Sequence, residues 1–161
     1  MIADLFPSLL EPNLLTVVVR TVLALICAGA IGYDRNLHGA AAGMRTHILV
    51  CLGAMLAMTT GQFAFMYYGT VDPTRIGAQV VSGIGFLGAG SIIITRGNRI
   101  QGLTTAAGLW ASACIGLAIG IGFYEGAIVG SVAVYITERV LRRISKAIRP
   151  IEEKKDDEIS G

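Results

Sequence analysis

Charged side chains are scarce in this sequence. Only 15% of its 161 residues are Asp, Glu, Lys or Arg, whereas 53% are hydrophobic and the mean hydropathy is +0.66. Soluble domains carry about 25% charged residues, so this chain lacks the charge that a water-facing surface requires. Intrinsic disorder is excluded outside the chain ends, because it requires low hydrophobicity and high net charge. The composition therefore predicts a membrane protein.

Cysteine and histidine are also scarce. Cys27, Cys51 and Cys114 stand singly in apolar stretches, which excludes a disulfide framework and the close ligand spacing of a zinc site. We expect them to be buried, inert thiols. The two histidines, His38 and His47, leave pH sensing and metal binding open, although two histidines alone specify neither. The net charge of +2 indicates no nucleic-acid-binding surface.

In place of charged residues, the sequence contains long apolar windows. A bilayer core about 30 Å thick requires roughly 20 apolar residues in a helix. Four windows reach that length, and a fifth is shorter and ends in charged residues. We therefore predict an all-α, polytopic transmembrane helical bundle. Its five spans cover residues 14–33, 48–68, 76–94, 103–124 and 126–141, between a short extracytoplasmic N-terminus over 1–13 and a charged cytoplasmic segment over 142–161.

The distribution of Lys and Arg predicts the orientation of these spans. Connections on the cytoplasmic side of a membrane are enriched in both residues. Alternate connections here carry two, two and seven of them, which places 11 of the 13 cations on one side, with Arg75 on the other side and Arg20 inside a span. This alternation requires an odd number of spans. It predicts five, with the N-terminus outside and the C-terminus in the cytoplasm.

The residues after Thr137 predict a basic amphipathic helix at an anionic membrane surface. Apolar residues recur there at helical spacing, and cations fill the opposite face. We expect Pro150 to end this helix, leaving a short solvated tail with no soluble domain after it.

Glycine is abundant, with 21 residues. In membrane helices, small residues allow close approach of a neighbouring backbone. The GxGxxG spacing in the third span lacks the preceding strand of a dinucleotide-binding unit, so it indicates tight packing or a locally broken helix. We expect helix-packing contacts, within one chain or between copies, at Gly83, Gly85, Gly88, Gly90, Gly108, Gly116 and Gly120.

The few polar positions within or beside the spans are informative. Arg20 lies about two turns into the first span, where it either reaches outward to the membrane surface or pairs inside the bundle. Asp72 precedes a proline and is typical of a helix N-cap. Arg75, Gln79 and Ser82 then share one helix face, and we do not expect such a polar line to face lipid.

An ion pair is expected where the first span ends and the second begins. Asp34 closes the first span, and a connection of about a dozen residues leads to the second. We expect Asp34 to pair with Arg45 or Arg35 at the level of the lipid headgroups.

Four motifs in this order resemble the MgtC/SapB family of bacterial inner-membrane proteins. They are Gly32-Tyr33-Asp34-Arg35, AGMRTHILVCLGA from Ala42, DPTRIGAQVVSGIGFLGAGSI from Asp72 and GLTTAAGLWASACIG from Gly102. The resemblance covers about residues 14–141. It implies a multi-pass protein of the inner membrane, linked to magnesium homeostasis and, in pathogens, to virulence. It also implies a regulatory role that includes restraint of the F-type ATP synthase.

The resemblance assigns functional motif positions to particular residues. These are Asp34, Arg35, Arg45, Thr46, Asp72, Arg75, Gln79, Thr104, Thr105 and Trp110. Asp34 stands where the family pattern usually has Glu, which shortens the reach of the carboxylate by one methylene. We expect a short form of the family, without the C-terminal soluble domain of its longer members.

Two functions remain open at this point. One is a non-enzymatic regulator that packs in the lipid bilayer against a second copy or another membrane protein. The other is a magnesium transporter or channel. Magnesium requires near-octahedral oxygen ligation, and no predicted span holds a carboxylate in its middle, although backbone carbonyls of a broken third helix would also supply oxygens. The absence of such a carboxylate favours the regulator. The sequence contains no catalytic motif, so we do not expect an enzyme. We expect no cofactor, and magnesium binding stays open.

Overall fold

The chain is described by a computed structural model over residues 9–69, 72–94 and 100–159, with side chains described as far as Arg142 except those of Ile93 and Ile94. Within these ranges it forms five helices and one short antiparallel strand pair. The elements are α1 Leu14–Leu37, α2 Met44–Tyr68, α3 Thr74–Gly90, β1 Ile93–Ile94, β2 Ile100–Gln101, α4 Leu103–Ile121 and α5 Tyr124–Ile159.

Three of these helices, α1, α2 and α4, are long and apolar enough to cross a membrane. This agrees with the membrane protein predicted from composition. Helix α3 has 17 residues, about 26 Å at 1.5 Å per residue, which is slightly shorter than the hydrocarbon core. Helix α5 is apolar only in its first half. Five spans and their orientation therefore stay predictions.

Helix α4 is the centre of the bundle and packs against the four other helices. Its glycines explain how closely it approaches α2. A Cβ added to Gly116 would lie 2.2 Å from the carbonyl oxygen of Cys51, and one added to Gly120 would lie 2.5 Å from that of Met55. The backbones of the two helices therefore touch, as small residues permit in membrane proteins. The main apolar core includes Ala24, Ala28, Ile31, Cys51, Met55, Ile115 and Ile119.

Several helix ends differ from the predicted spans. Helix α1 continues one turn further, to Leu37, and α2 already begins at Met44. Helix α3 is continuous but ends at Gly90, because the isoleucines that follow pair with β2 in an extended ladder. Gly102 closes this ladder at φ +94°, a left-handed conformation that favours glycine.

The prediction that Pro150 ends the last helix was wrong. Helix α5 runs without interruption from Tyr124 to Ile159. Proline removes one backbone hydrogen bond, but the residues beside it include Lys and Glu, which are good helix formers. The fifth predicted span and the charged segment after it are therefore one helix.

Candidate functional site

Arg20 of α1 is completely buried, so the structure places it inside the bundle rather than at the membrane surface. Its Nη1 donates to the carbonyl oxygen of Gly120 at 2.7 Å, to Gln62 Oε1 at 2.9 Å and to Thr59 Oγ1 at 3.2 Å. Its Nε donates to the hydroxyl of Tyr124 at 3.3 Å. These partners are neutral oxygens from α2, α4 and α5. The guanidinium thus ties four helices together through its several fixed donors.

A buried charge cluster lies where α1 ends, and it consists of Asp34, Arg35, Glu138 and Arg142. Arg142 Nη1 lies 3.0 Å from Asp34 Oδ2, and Arg35 Nη1 lies 3.6 Å from Glu138 Oε1. The side chains of Asp34 and Arg35 are 5% exposed and that of Glu138 is 7% exposed. Arg35 also donates to the hydroxyl of Thr105 in α4. Within each ion pair the guanidinium offsets the charge of the carboxylate, which is what buried ions require.

Gly108 of α4 lies directly beside this charge cluster. A Cβ added to Gly108 would lie 2.8 Å from Glu138 Oε1 and 3.2 Å from Cε1 of His47. His47 is buried in α2, and its Nδ1 lies 2.8 Å from the hydroxyl of Ser112. Gly108 therefore provides the space in which a carboxylate and an imidazole from two other helices reach α4.

The chemistry of the charge cluster is that of an electrostatic link between α1 and α5. Magnesium requires oxygen ligands, and each carboxylate here already faces a guanidinium, which offers none. Glu138 Oε2 and His47 Nε2 are buried without a hydrogen-bond partner among the described residues. Over the same residues, no group of three or more His, Cys, Asp and Glu side chains is placed to hold a metal ion.

The ion pair predicted for Asp34 was wrong in its partner. Asp34 and Arg35 are neighbours on a helix, so their side chains point about 100° apart and each meets a different residue of α5. Arg45 lies in the first turn of α2, is exposed, and lines a groove toward α3. His38, the other histidine of the sequence, lies 3.7 Å from Asp34 Oδ2 at the exposed edge of the cluster.

The motif residues do not form one site. Asp34, Arg35 and Thr105 meet in the charge cluster, whereas Arg45 and Thr46 lie on the groove between α2 and α3. The remaining motif residues are exposed to the surroundings of the bundle. They are Asp72, Arg75, Gln79, Thr104 and Trp110.

Asp72 has the geometry of a helix cap at the start of α3. Its Oδ1 accepts the backbone N–H of Thr74 at 2.9 Å and the Thr74 hydroxyl at 2.7 Å. The hydroxyl, the backbone N–H and the nearby Arg75 together hold the pKa of this exposed carboxyl below its usual value.

Sequence reasoning missed Glu138 and Arg142 as members of the charge cluster, and His47 as the buried imidazole beside it. Glu138 and Arg142 are four residues apart and so share a helix face, which was a signal in the sequence. The sequence pattern instead places Arg142 on the basic face of a membrane-surface helix and Glu138 at the end of the fifth span, because nothing local shows that α5 packs beside α1.

Helix α3 presents an outer face of polar and small residues that no other part of the described chain covers. Its inner side packs through Gly77, Ile84 and Gly88. The outer face consists of Arg75, Ala78, Gln79, Ser82, Gly85 and Ala89, all exposed.

The predicted packing glycines therefore fall into two groups. Gly108, Gly116 and Gly120 lie at contacts of α4, and a Cβ added to Gly88 would lie 3.6 Å from Cβ of Ala106. A Cβ added to Gly83, Gly85 or Gly90 would meet no atom of the described residues within 4 Å, so the packing predicted for these three is not made within the described part of the chain.

Comparisons with known proteins agree with the motifs. The model of the MgtC family matches residues 21–147. An Escherichia coli K12 protein named "Putative magnesium transporter YhiD" is 43% identical over 133 residues, which are 80% of this chain and 61% of that protein. "Protein MgtC" of Brucella abortus strain 2308 is 40% identical over 125 residues, 78% of this chain and 51% of that protein.

A Haemophilus influenzae relative is 36% identical over 142 residues, 84% of this chain and 60% of the relative. The chain thus spans between half and about three fifths of the length of these curated relatives. No solved structure was found to match it.

Proposed function

The chain belongs to the MgtC family, and from this membership we propose that it is a non-enzymatic regulator linked to magnesium homeostasis. It acts as a multi-pass protein of the bacterial inner membrane, by packing against another membrane protein. In a pathogen, we expect such regulation to serve virulence, as the family resemblance implies.

The outer face of α3 carries this proposal. Ala78, Ser82, Gly85 and Ala89 are spaced by four, three and four residues, so they form one ridge on which another helix can approach closely. Polar side chains on membrane helices seldom face lipid, because their hydrogen-bonding groups find no partner there. Arg75 and Gln79 extend this ridge at one end of the helix and add donors for a polar partner.

The partner would be either a second copy of this chain or a larger membrane complex. The F-type ATP synthase is the complex that the family resemblance names. Either partner would have to offer a helix with small residues, and an acceptor or a carboxylate near Arg75.

A pull-down from native membranes tests this face directly. Gly85→Leu places a large side chain on this ridge of small residues and so prevents the close approach of another helix. The matched control Val129→Leu changes an exposed residue of α5. We expect the retained partner to be lost from Gly85→Leu and kept by Val129→Leu. Equal retention by both variants would contradict docking through α3.

Magnesium transport is the second candidate, and two observations favour it. Asp34 and Glu138 are two carboxylates buried in the same cluster, and a relative carries the word transporter in its name. Their pairing with Arg142 and Arg35 is the argument against it, since a permeating cation would have to displace both guanidiniums.

Magnesium flux into proteoliposomes that contain only the purified protein separates the two candidates. The regulator predicts no flux above that of empty vesicles. Flux that is abolished by Asp34→Asn together with Glu138→Gln, and unchanged by the exposed control Glu11→Gln, would establish transport and overturn the regulator.

A further inference from the structure

An apolar groove of about 540 Å³ lies between α2 and α3, with Ala113 of α4 also on its wall. It is separate from the charge cluster. It also differs from the outer face of α3, because Val80, Gly83 and Leu87 line it on a different side of that helix. The groove is therefore independent of the surface that carries the proposed function.

One end of the groove is cationic and polar. Arg45 and Thr46 line it in the first turn of α2, and the Arg45 guanidinium has no ion pair or hydrogen bond within the described part of the chain. Helix α2 starts after Gly43, which supplies no capping side chain for the first N–H groups of the helix, and these groups lie at the same end of α2 as Arg45. Because α2 is apolar and long enough to span, its first turn belongs at the level of the lipid headgroups.

The rest of the groove is apolar and open. It follows α2 from Arg45 to Gly53, a distance of about 12 Å along the helix, which reaches well into one leaflet. A Cβ added at Gly53 or at Gly83 would meet no described atom within 4 Å. The two glycines thus leave room where larger side chains would fill the groove.

We propose that this groove binds an anionic phospholipid. The phosphate lies against Arg45 and Thr46, and one acyl chain follows the groove across Gly53 and Gly83. A free phosphate ion would use only the cationic end. A zwitterionic lipid such as phosphatidylcholine also brings a phosphate, but its own cation offsets that charge, so its headgroup complements Arg45 less well. The anionic phospholipid matches both the charge and the apolar length.

Electron paramagnetic resonance with spin-labelled lipids tests this assignment. The full chain is reconstituted in phosphatidylcholine bilayers, and the motionally restricted fraction is compared for labelled phosphatidylglycerol and labelled phosphatidylcholine. We expect a preference for phosphatidylglycerol of roughly fivefold, the factor that one cation near anionic lipid provides. Equal restriction of the two lipids would overturn the proposal.

Variants assign the preference to the groove. Arg45→Gln should lower it without abolishing it, because other exposed cations such as Arg139 also attract anionic lipid. Arg45→Lys should keep most of it, which separates loss of charge from loss of fold. Gly83→Leu, which fills the groove, should also lower it. The matched controls Gly85→Leu on the outer face of α3 and Arg75→Gln at the other end of that helix should leave it unchanged.

Two further outcomes would overturn the proposal. One is an unchanged preference in Arg45→Gln or in Gly83→Leu. The other is loss of the preference when millimolar inorganic phosphate is added, because a site for a free anion would then account for the binding.

Discussion

Arg142 of α5 lies 3.0 Å from Asp34 of α1, and this ion pair joins the last helix of the bundle to the first. One helical turn earlier on α5, Glu138 meets Arg35 in the same way. Two consecutive residues of α1 are thus held by two residues of α5 that share a face. In a buried site, removing one partner of such a pair costs more than the pair itself contributes, because the other charge stays desolvated.

Replacing Arg35 by methionine should therefore destabilise the bundle strongly. Arg35→Met leaves the carboxylate of Glu138, 7% exposed, without its counter-charge. We expect a loss of about 3–5 kcal/mol, measured by thermal unfolding in detergent. The double variant Arg35→Met/Glu138→Met should recover much of this loss. Arg139→Met, at an exposed position one residue away, serves as the control; purely additive effects would argue against the coupling.

Replacing Arg20 by lysine should also destabilise the bundle, although the charge is kept. An ammonium offers three donors, whereas the Arg20 guanidinium serves five oxygens of Leu9, Thr59, Gln62, Gly120 and Tyr124. At about 1–3 kcal/mol for each buried acceptor left unpaired, we expect a loss of about 2 kcal/mol or more in the unfolding free energy. The exposed control Arg139→Lys should change it little, and a wild-type stability for Arg20→Lys would show that the network contributes little.

Glycine substitutions should have opposite effects at two positions. In Gly116→Ala the new methyl meets the backbone carbonyl of Cys51 at 2.2 Å, and the two helices must move apart. Overpacking of this kind costs about 1–3 kcal/mol. Gly53→Ala meets no described atom within 4 Å, and alanine is the better helix former, so its unfolding temperature should stay the same or rise. Similar losses for both variants would refute close contact at Gly116.

The apolar helices and the cap at Asp72 could be predicted from the sequence, because hydropathy and capping are local properties. The polar line on α3 could be read in the same way, from Arg75, Gln79 and Ser82 at helical spacing. The partners of Asp34 and Arg35 could not. They depend on α5 lying beside α1, and residues more than 100 positions apart leave no periodic signal of that contact.

The role of individual glycines was equally hidden. Gly116 and Gly85 both occupy small-residue positions in apolar helices, yet one touches the backbone of α2 and the other faces outward. Which glycine is used within the chain depends on the rotation of each helix in the bundle, and spacing alone does not specify that rotation. The same holds for Gly108, because the sequence does not show that Glu138 and His47 from two other helices pack against it.

The carboxyl of Asp72 should respond to its neighbour Thr74. The Thr74 hydroxyl is the largest cause of the lowered pKa of Asp72, so Thr74→Val should raise that pKa toward its ordinary value, as followed by NMR titration. Because the folded pKa is lowered, Asp72 stabilises the fold above its unfolded pKa, and this contribution is lost as the pH falls through the folded pKa. An unchanged titration in Thr74→Val would show that the hydroxyl does not donate to Asp72.

Reporter fusions should decide whether α3 and α5 cross the membrane. Between Gly69 and Glu158 the chain contains α3, α4 and α5, and only α4 meets the length and hydropathy of a span by itself. If all three cross, fusions after Gly69 and after Glu158 report opposite sides, with the second in the cytoplasm, where the cations of α5 belong. A fusion after Leu37 gives an internal reference, since one crossing of α2 separates it from Gly69. If Gly69 and Glu158 report the same side, either α3 or α5 lies along the membrane surface, and the five-span prediction fails.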